Sequence, residues 1–239
     1  MTDSYKIQKN QFEEISKIYD DVYHDIISAT HRVSQEIYYG RCKGKRVLDI
    51  GNGGQPPESV MGGEIAGTLK SFVGIDHSLA MMRKTKDAFS KVVGDAVNLP
   101  FKDDSFDYVL VNGLLHHLGY QSREDNRRRV QRFVREALRV CARELIIYEL
   151  FTPPFLENME RAAARVLGYM PTFVLSERSL DDYLREMGLA RNEIAARSLS
   201  QLTRPLYPVP ILMDQPWLKV PAFLSPFNTV YFVIPKRAG

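Results

Sequence analysis

Three groups of residues in this chain are of types that bind or react. The first is the run Gly51-Asn52-Gly53-Gly54, which follows the apolar stretch Arg46 to Ile50 without a break. A glycine-rich turn between a strand and a helix lets backbone N–H groups approach a ligand closely, and it places a helix N-terminus near negative charge. A dinucleotide fingerprint requires Gly-x-Gly-x-x-Gly, but Pro56 stands at the third glycine position. A phosphate-cradling Gly-Lys-Ser/Thr loop is absent. The second group is acidic. Asp76 closes the apolar run Lys70 to Ile75 and lies 23 residues after Gly53, where a carboxylate can accept from both hydroxyls of a ribose. Asp95, after Lys91-Val92-Val93, can accept from the exocyclic amine of a purine, with the Ala96 backbone reading the ring edge. Together these loops describe an adenosine site with no dedicated phosphate grip.

The third group is His116-His117, beyond the run Phe106 to Val111 and Asn112. Histidine titrates near neutrality and suits proton transfer. Adjacent helical residues point about 100° apart, so one of the two is expected to face a substrate while the other packs or shapes the pocket; His116 is preferred as the base. Neighbouring histidines do not converge on a metal and no third ligand is evident, so no metal is expected. Glu149, after Glu144 to Tyr148, reads as a strand-end acid that either contacts substrate or is solvated. Tyr19 and Tyr23 either close over the ligand or belong to the apolar stripe of their helix.

These residues need elements to position them. Phe12, Ile15, Tyr19, Val22 and Ile26 recur at helical spacing within residues 10–38. Five short apolar strands then alternate with helices: Arg46–Ile50, Lys70–Ile75, Lys91–Val93, Phe106–Val111 and Glu144–Tyr148. Between the last two, Glu124–Val140 is an amphipathic helix whose stripe is Val130, Phe133, Val134, Ala137, Leu138 and Cys141. This alternation implies βαβ units and a parallel sheet covered on both faces, with ligands beyond the carboxyl ends of its strands. After Pro153-Pro154 the pattern predicts a helix over Leu156–Leu167 and another opened by Ser176 or Ser179 and stopped at Gly188. Glu193–Leu202 and Asn228–Ile234 read as two further strands. The connection Pro205–Pro226 is rich in proline and apolar residues and holds Trp217. It reads as a substrate lid, a loop packed on the sheet, or a partner or membrane-surface contact.

Composition narrows the class. The chain has 239 residues, of which 44% are hydrophobic and 26% charged, enough for a full core. Nine of 15 glycines fall between Gly40 and Gly74, and ten of 13 prolines follow Leu150, which separates a glycine-dense site region from a proline-dense late one. Cys42 and Cys141 cannot build a disulfide framework and suit a reducing compartment. Met1 to Asn10 has no apolar signal core, and no run approaches the ~20 apolar residues of a membrane span, so the expected location is the cytoplasm. The formal net charge of +3 gives no indication of nucleic-acid binding. Arg127, Arg128, Arg129, Arg132, Arg135 and Arg139 read as the wet face of their helix, with an RNA contact as the alternative.

Four ordered motifs resemble those of class I S-adenosylmethionine-dependent methyltransferases, in the small-molecule branch called methyltransferase type 11. They are Asp49-Ile50-Gly51-Asn52-Gly53-Gly54, Val73-Gly74-Ile75-Asp76-His77-Ser78, Gly94-Asp95-Ala96-Val97-Asn98-Leu99-Pro100-Phe101, and Phe106-Asp107-Tyr108-Val109-Leu110-Val111 with Leu115-His116-His117-Leu118. The resemblance covers about residues 40–150. It implies a Rossmann-like, doubly wound sheet of seven strands, mostly parallel with the last antiparallel, plus N-terminal helices and a helical insertion after the fifth strand. The whole chain, 1–239, would be one such domain. Residues 1–40 would be cap helices, 41–150 the cofactor-binding core, 151–190 the insertion or lid, and 191–239 the last two strands with their proline-rich connection.

The resemblance also implies roles. Asp49, Gly51, Asn52 and Gly53 would face the methionine part of S-adenosylmethionine, and Asp76 would hold its ribose. His77 would lie against the adenine, Asp95 and Ala96 would read the adenine edge, and Asn112 would sit near the sulfonium and the methionine amine. The implied reaction is in-line methyl transfer to an O, N or C atom of a small, hydrophobic or aromatic molecule, leaving S-adenosylhomocysteine. Tyr19, Tyr23, Glu149 and Trp217 are the candidate substrate contacts. The alternatives are an RNA methyltransferase using helix 124–140, and a relative that binds the cofactor without methyl transfer, cyclase-like or regulatory. Two features depart from the family. Pro56, Pro57, Gly62 and Gly63 interrupt the helix after the glycine turn, and Val140-Cys141-Ala142-Arg143 replaces a Lys-Pro-Gly-Gly-like turn before the fifth strand. An arsenic-methylating branch needs more cysteines than the two present.

Overall fold

A computed structural model describes residues 37–86, 89–119, 122–157, 174–198 and 228–236. The expected helices over 10–38 and 156–167, the connection 205–226, and the candidates Tyr19, Tyr23 and Trp217 lie outside the described residues or almost wholly so.

The strands are favoured by runs of apolar and β-branched residues, most strongly at the centre of the sheet. They are β1 (Arg46–Ile50), β2 (Ser71–Asp76), β3 (Ser90–Val93), β4 (Phe106–Asn112), β5 (Cys141–Phe151), β6 (Asn192–Ser198) and β7 (Asn228–Pro235). They make one sheet in the order β3-β2-β1-β4-β5-β7-β6. The pairs from β3 through β5 are parallel, and β7 runs antiparallel to both β5 and β6. This is the doubly wound sheet with an antiparallel last strand. The order reverses between β1 and β4, which opens a crevice at their carboxyl ends where open α/β sheets bind ligands.

Side chains alternate across each strand and feed two cores. On one face Leu48, Ile50, Val109, Val111, Leu145, Ile147 and Phe232 pack with Phe133, Val134 and Ala137 of helix α4 (Arg123–Val140) and with Leu180 and Leu184 of α5 (Glu177–Glu186). On the other, Val47, Tyr108, Leu110, Ile146, Tyr231 and Val233 pack with Ile37, Tyr38 and Cys42 of the helical segment 37–42 and with Val60, Met61 and Ile65. Those last three belong to α1 (Pro57–Met61) and α2 (Gly63–Ala66), into which Gly62, at φ +88°, splits the helix after the glycine turn.

Helix α4 follows from its sequence. The Ser122 hydroxyl accepts from the Asp125 N–H at 3.0 Å, Glu124 and Asp125 occupy the first turn, and Arg139 the last, each favourable to the helix dipole. Ser122→Ala should lower stability by about 1 kcal/mol in urea unfolding, with an unchanged slope.

Two sequence expectations are corrected. Val140–Arg143 is not a turn, because α4 passes directly into β5 at Cys141, which pairs with Phe106. Nor does Glu149 end the fifth strand. Pairing with β7 continues through Leu150 and Phe151, so Glu149 is enclosed within the sheet instead of standing at its rim. Among the described residues no helix is long and apolar enough to cross a membrane.

Candidate functional site

The crevice between β1 and β4 is a pocket lined by Ile50, Gly51, Gly53, Ile75, Asp76, His77, Met81, Gly94, Asp95, Ala96, Asn112, Gly113, Leu114, His117, Leu118 and Arg129. Its floor is the turn after β1. The Asn52 amide donates to Asp49 at 2.7 Å and to the Gln55 carbonyl at 2.9 Å, locking the turn onto the strand it leaves. Gly51, Gly53 and Gly54 all have positive φ, a region that costs residues bearing a Cβ. At Gly54 a Cβ would lie 2.1 Å from the Met81 carbonyl oxygen. The turn therefore nests against α3 (Leu79–Met82), whose start is capped by Ser78.

Asp76 ties that turn to the end of β2. Its Oδ2 accepts from the Gly53 N–H at 3.0 Å and its Oδ1 from the Ser78 N–H at 2.8 Å, with His77 Nδ1 3.3 Å from Oδ1. An ionised carboxylate accepts about four hydrogen bonds, so capacity remains for a ligand hydroxyl. Asp95 Oδ1 accepts from the Val97 N–H at 3.1 Å, and Ala96 and Leu118 complete that end of the pocket.

Behind the floor lies a chain of polar contacts. Asn112 Oδ1 accepts from the Tyr38 hydroxyl at 3.2 Å, and Asn112 also bonds to Asp49. Asp49 is buried, and burial pushes its carboxyl up to about 7; the Asn52 hydrogen bond opposes the shift, the Asp76 charge adds to it, and the Asn112 bond opposes it again. In the folded protein Asp49 keeps its proton to about pH 7, whereas an unfolded aspartate loses it near ~4. Its contribution to stability is therefore full below the unfolded value and lost as pH rises through about 7.

The two histidines occupy a short 3-10 turn, Leu115–His117, and their rings lie 4.0 Å apart. His117 lines the pocket. Burial holds its imidazole well below the usual range, with His116 and His77 adding to the effect. His116 lies beside it, its Nδ1 2.6 Å from Glu149 Oε1. Glu149, 1% exposed, is a support for this turn and is not in the pocket lining.

Asp76, His77, Asp95, Ala96, Asn112, Gly51 and Gly53 are thus brought to one pocket, with Asp49 and Asn52 beneath it and His117 on its wall. Sequence reasoning missed Met81, Gly113, Leu114, Leu118, Arg129 and the Tyr38 hydroxyl. Gly113 could have been read from its place directly after Asn112. Arg129 carried no signal, because it lies on a helix face that looks simply wet. Arg127 and Arg128 face Glu124, Arg129 faces Asp125, and Arg139 faces Glu136 and Asp103. Among the described residues no group of three or more His, Cys, Asp or Glu side chains could hold a metal.

A doubly wound sheet with a glycine turn after β1, a carboxylate after β2 and an acid after β3 defines a nucleoside-binding α/β domain. Residues 48–147 match the family model described as a methyltransferase domain. The chain is 33% identical over 143 residues to the demethylmenaquinone methyltransferase of Thermotoga maritima, an alignment that takes in 54% of this chain and 53% of that protein. It therefore spans about half the length of that curated relative. Among solved structures, a methyltransferase of Thermotoga maritima described as a possible histamine N-methyltransferase superposes with a TM-score of 0.59 at 19% identity, over 95% of this chain and 98% of that one. The magnesium protoporphyrin IX methyltransferase of Synechocystis, solved with bound S-adenosylhomocysteine, gives 0.58 at 12% identity, over 97% and 99%. At these identities the two structures establish the common fold.

Proposed function

We propose that this protein transfers a methyl group from S-adenosylmethionine to an O, N or C atom of a small, hydrophobic or aromatic molecule. The observation that carries this reading is the convergence of Gly51, Gly53, Asp76, Asp95 and Asn112 on one pocket at the carboxyl ends of β1 to β4. In this reading Asp76 accepts from the ribose hydroxyls, Asp95 and Ala96 read the adenine edge, and His77 and Leu118 flank the ring. Asp49, Asn52 and Asn112 hold the methionine end. The bound cofactor supplies an electrophilic methyl on a sulfonium; the chain has to align the acceptor with it and keep water out. The relative named for demethylmenaquinone supports an apolar acceptor of quinone type. The RNA reading draws no support from α4, where four of its arginines face acids.

The reading is tested by release of S-adenosylhomocysteine with a panel of phenols, quinols and amines. No release with any of them, beside intact cofactor binding, would favour a binding-only relative. A second test uses Asp49. A cofactor ammonium set near it favours the ionised carboxylate, so S-adenosylhomocysteine binding near pH 6 should expel a proton. Calorimetry in two buffers of different ionisation enthalpy should show close to one proton released near pH 6 and almost none by about pH 8, because free Asp49 titrates at about 7. Asp49→Asn should abolish the buffer dependence; a dependence surviving in that variant would remove Asp49 from the methionine end.

A further inference from the structure

We propose that Glu149 is a positioning residue that holds His116 with its proton on Nδ1, so that Nε2 is the atom that takes the proton from the methyl acceptor. The inference rests on the methyl-transfer reading above.

Glu149 is 1% exposed, yet it is engaged by donors on every side. Its Oε2 accepts from the Leu115 N–H at 2.6 Å, and its Oε1 accepts from the Leu150 N–H at 2.8 Å. The same Oε1 lies 2.6 Å from His116 Nδ1. Two backbone groups thus clamp the carboxylate, one from the turn after β4 and one from β5 itself. An ionised carboxylate only accepts, so the short contact requires a proton on Nδ1 and places the imidazole lone pair on Nε2. That tautomer is the less favoured one in the free side chain, and a fixed partner is needed to select it.

The ring so held lies against two residues of the pocket lining. A Cβ on Gly113, one of them, would lie 3.6 Å from His116 Cε1, the carbon between Nδ1 and Nε2. The ring also packs on His117, a pocket wall. His117 itself is half-buried, and desolvation of its imidazole holds it in the neutral form, which suits a wall better than a group that must carry a proton.

The acceptor X–H forms its bond to the methyl carbon as the S–C bond breaks, and that electron pair returns to sulfur, leaving a neutral thioether. The X–H proton passes to Nε2. His116 becomes an imidazolium facing the Glu149 carboxylate, so the sulfonium's positive charge is replaced by one on a ring already opposite an anion.

Nitrogen-15 NMR of histidine-labelled protein tests this, with His116 assigned by its loss in His116→Gln. At a pH where the ring is neutral, wild-type His116 should be the Nδ1–H tautomer. In Glu149→Leu the Nε2–H form should take over. With whichever panel acceptor supports turnover, Glu149→Leu should lower kcat at least tenfold with KM for S-adenosylmethionine little changed, and Glu149→Asp should recover part of the loss. Wild-type His116 protonated on Nε2 would overturn the inference without any variant having to fold. So would an unchanged tautomer in folded Glu149→Leu, or an unchanged kcat. Absence of turnover with every acceptor bears instead on the methyl-transfer reading.

Discussion

Asp76→Ala should weaken S-adenosylhomocysteine binding by about 100-fold or more, because hydrogen bonds to a charged acceptor contribute roughly 1.5–3 kcal/mol each and a ribose offers two hydroxyls. The loss has a second source within the protein. Asp76 accepts from the Gly53 and Ser78 N–H groups, so its removal leaves two donors to find water and loosens the turn from the end of β2. Asp76→Asn keeps one acceptor oxygen and should fall between wild type and alanine. Calorimetry measures both. Alanine binding within threefold of wild type would show that the ribose is held elsewhere.

Gly54→Ala should be the most damaging single methyl in the site region. Its φ is +78°, and the added carbon would stand 2.1 Å from the Met81 carbonyl oxygen and 3.0 Å from the Met81 carbonyl carbon. Both are backbone atoms and cannot rotate away. Either the glycine turn or α3 must move, and both line the pocket. The expected cost is about 2 kcal/mol or more in urea unfolding, with cofactor binding lost in whatever remains folded. Gly63→Ala is the matched control. Gly63 has ordinary φ and no atom within 4 Å of the added carbon, so this change should be neutral or raise stability by up to ~1 kcal/mol. Equal damage from the two would mean that the close approach at Gly54 is not what matters.

Much of the site was legible because its residues stand at fixed offsets from short strands. Gly51 to Gly54, Asp76, Asp95 and Asn112 each follow an apolar run, and parallel strands place such residues on one edge. Glu149 reads as a strand-end acid in the sequence for a physical reason. The Leu150-Phe151 continuation of β5 depends on pairing with Thr229 and Asn228, and this contact across the chain leaves no local trace. The Val140–Arg143 junction is hidden in the same way, since Cys141 becomes strand by pairing with Phe106. Arg129 reads as solvated because helical periodicity shows only which face is apolar, not what lies beside its margin.

By itself the sequence determined the parallel sheet, its ligand edge and the class of ligand, because burial on both faces demands apolar runs, and a close backbone approach demands glycine. The tertiary structure alone decided which acid serves what purpose. Asp49, Asp76, Asp95 and Glu149 look alike as strand-end carboxylates. Asp76 is left with accepting capacity in the pocket, Asp49 is buried until its proton stays on to about pH 7, and Glu149 is enclosed behind a histidine. A carboxylate's role depends on the donors, charge and water around it, and those come from residues distant in the chain.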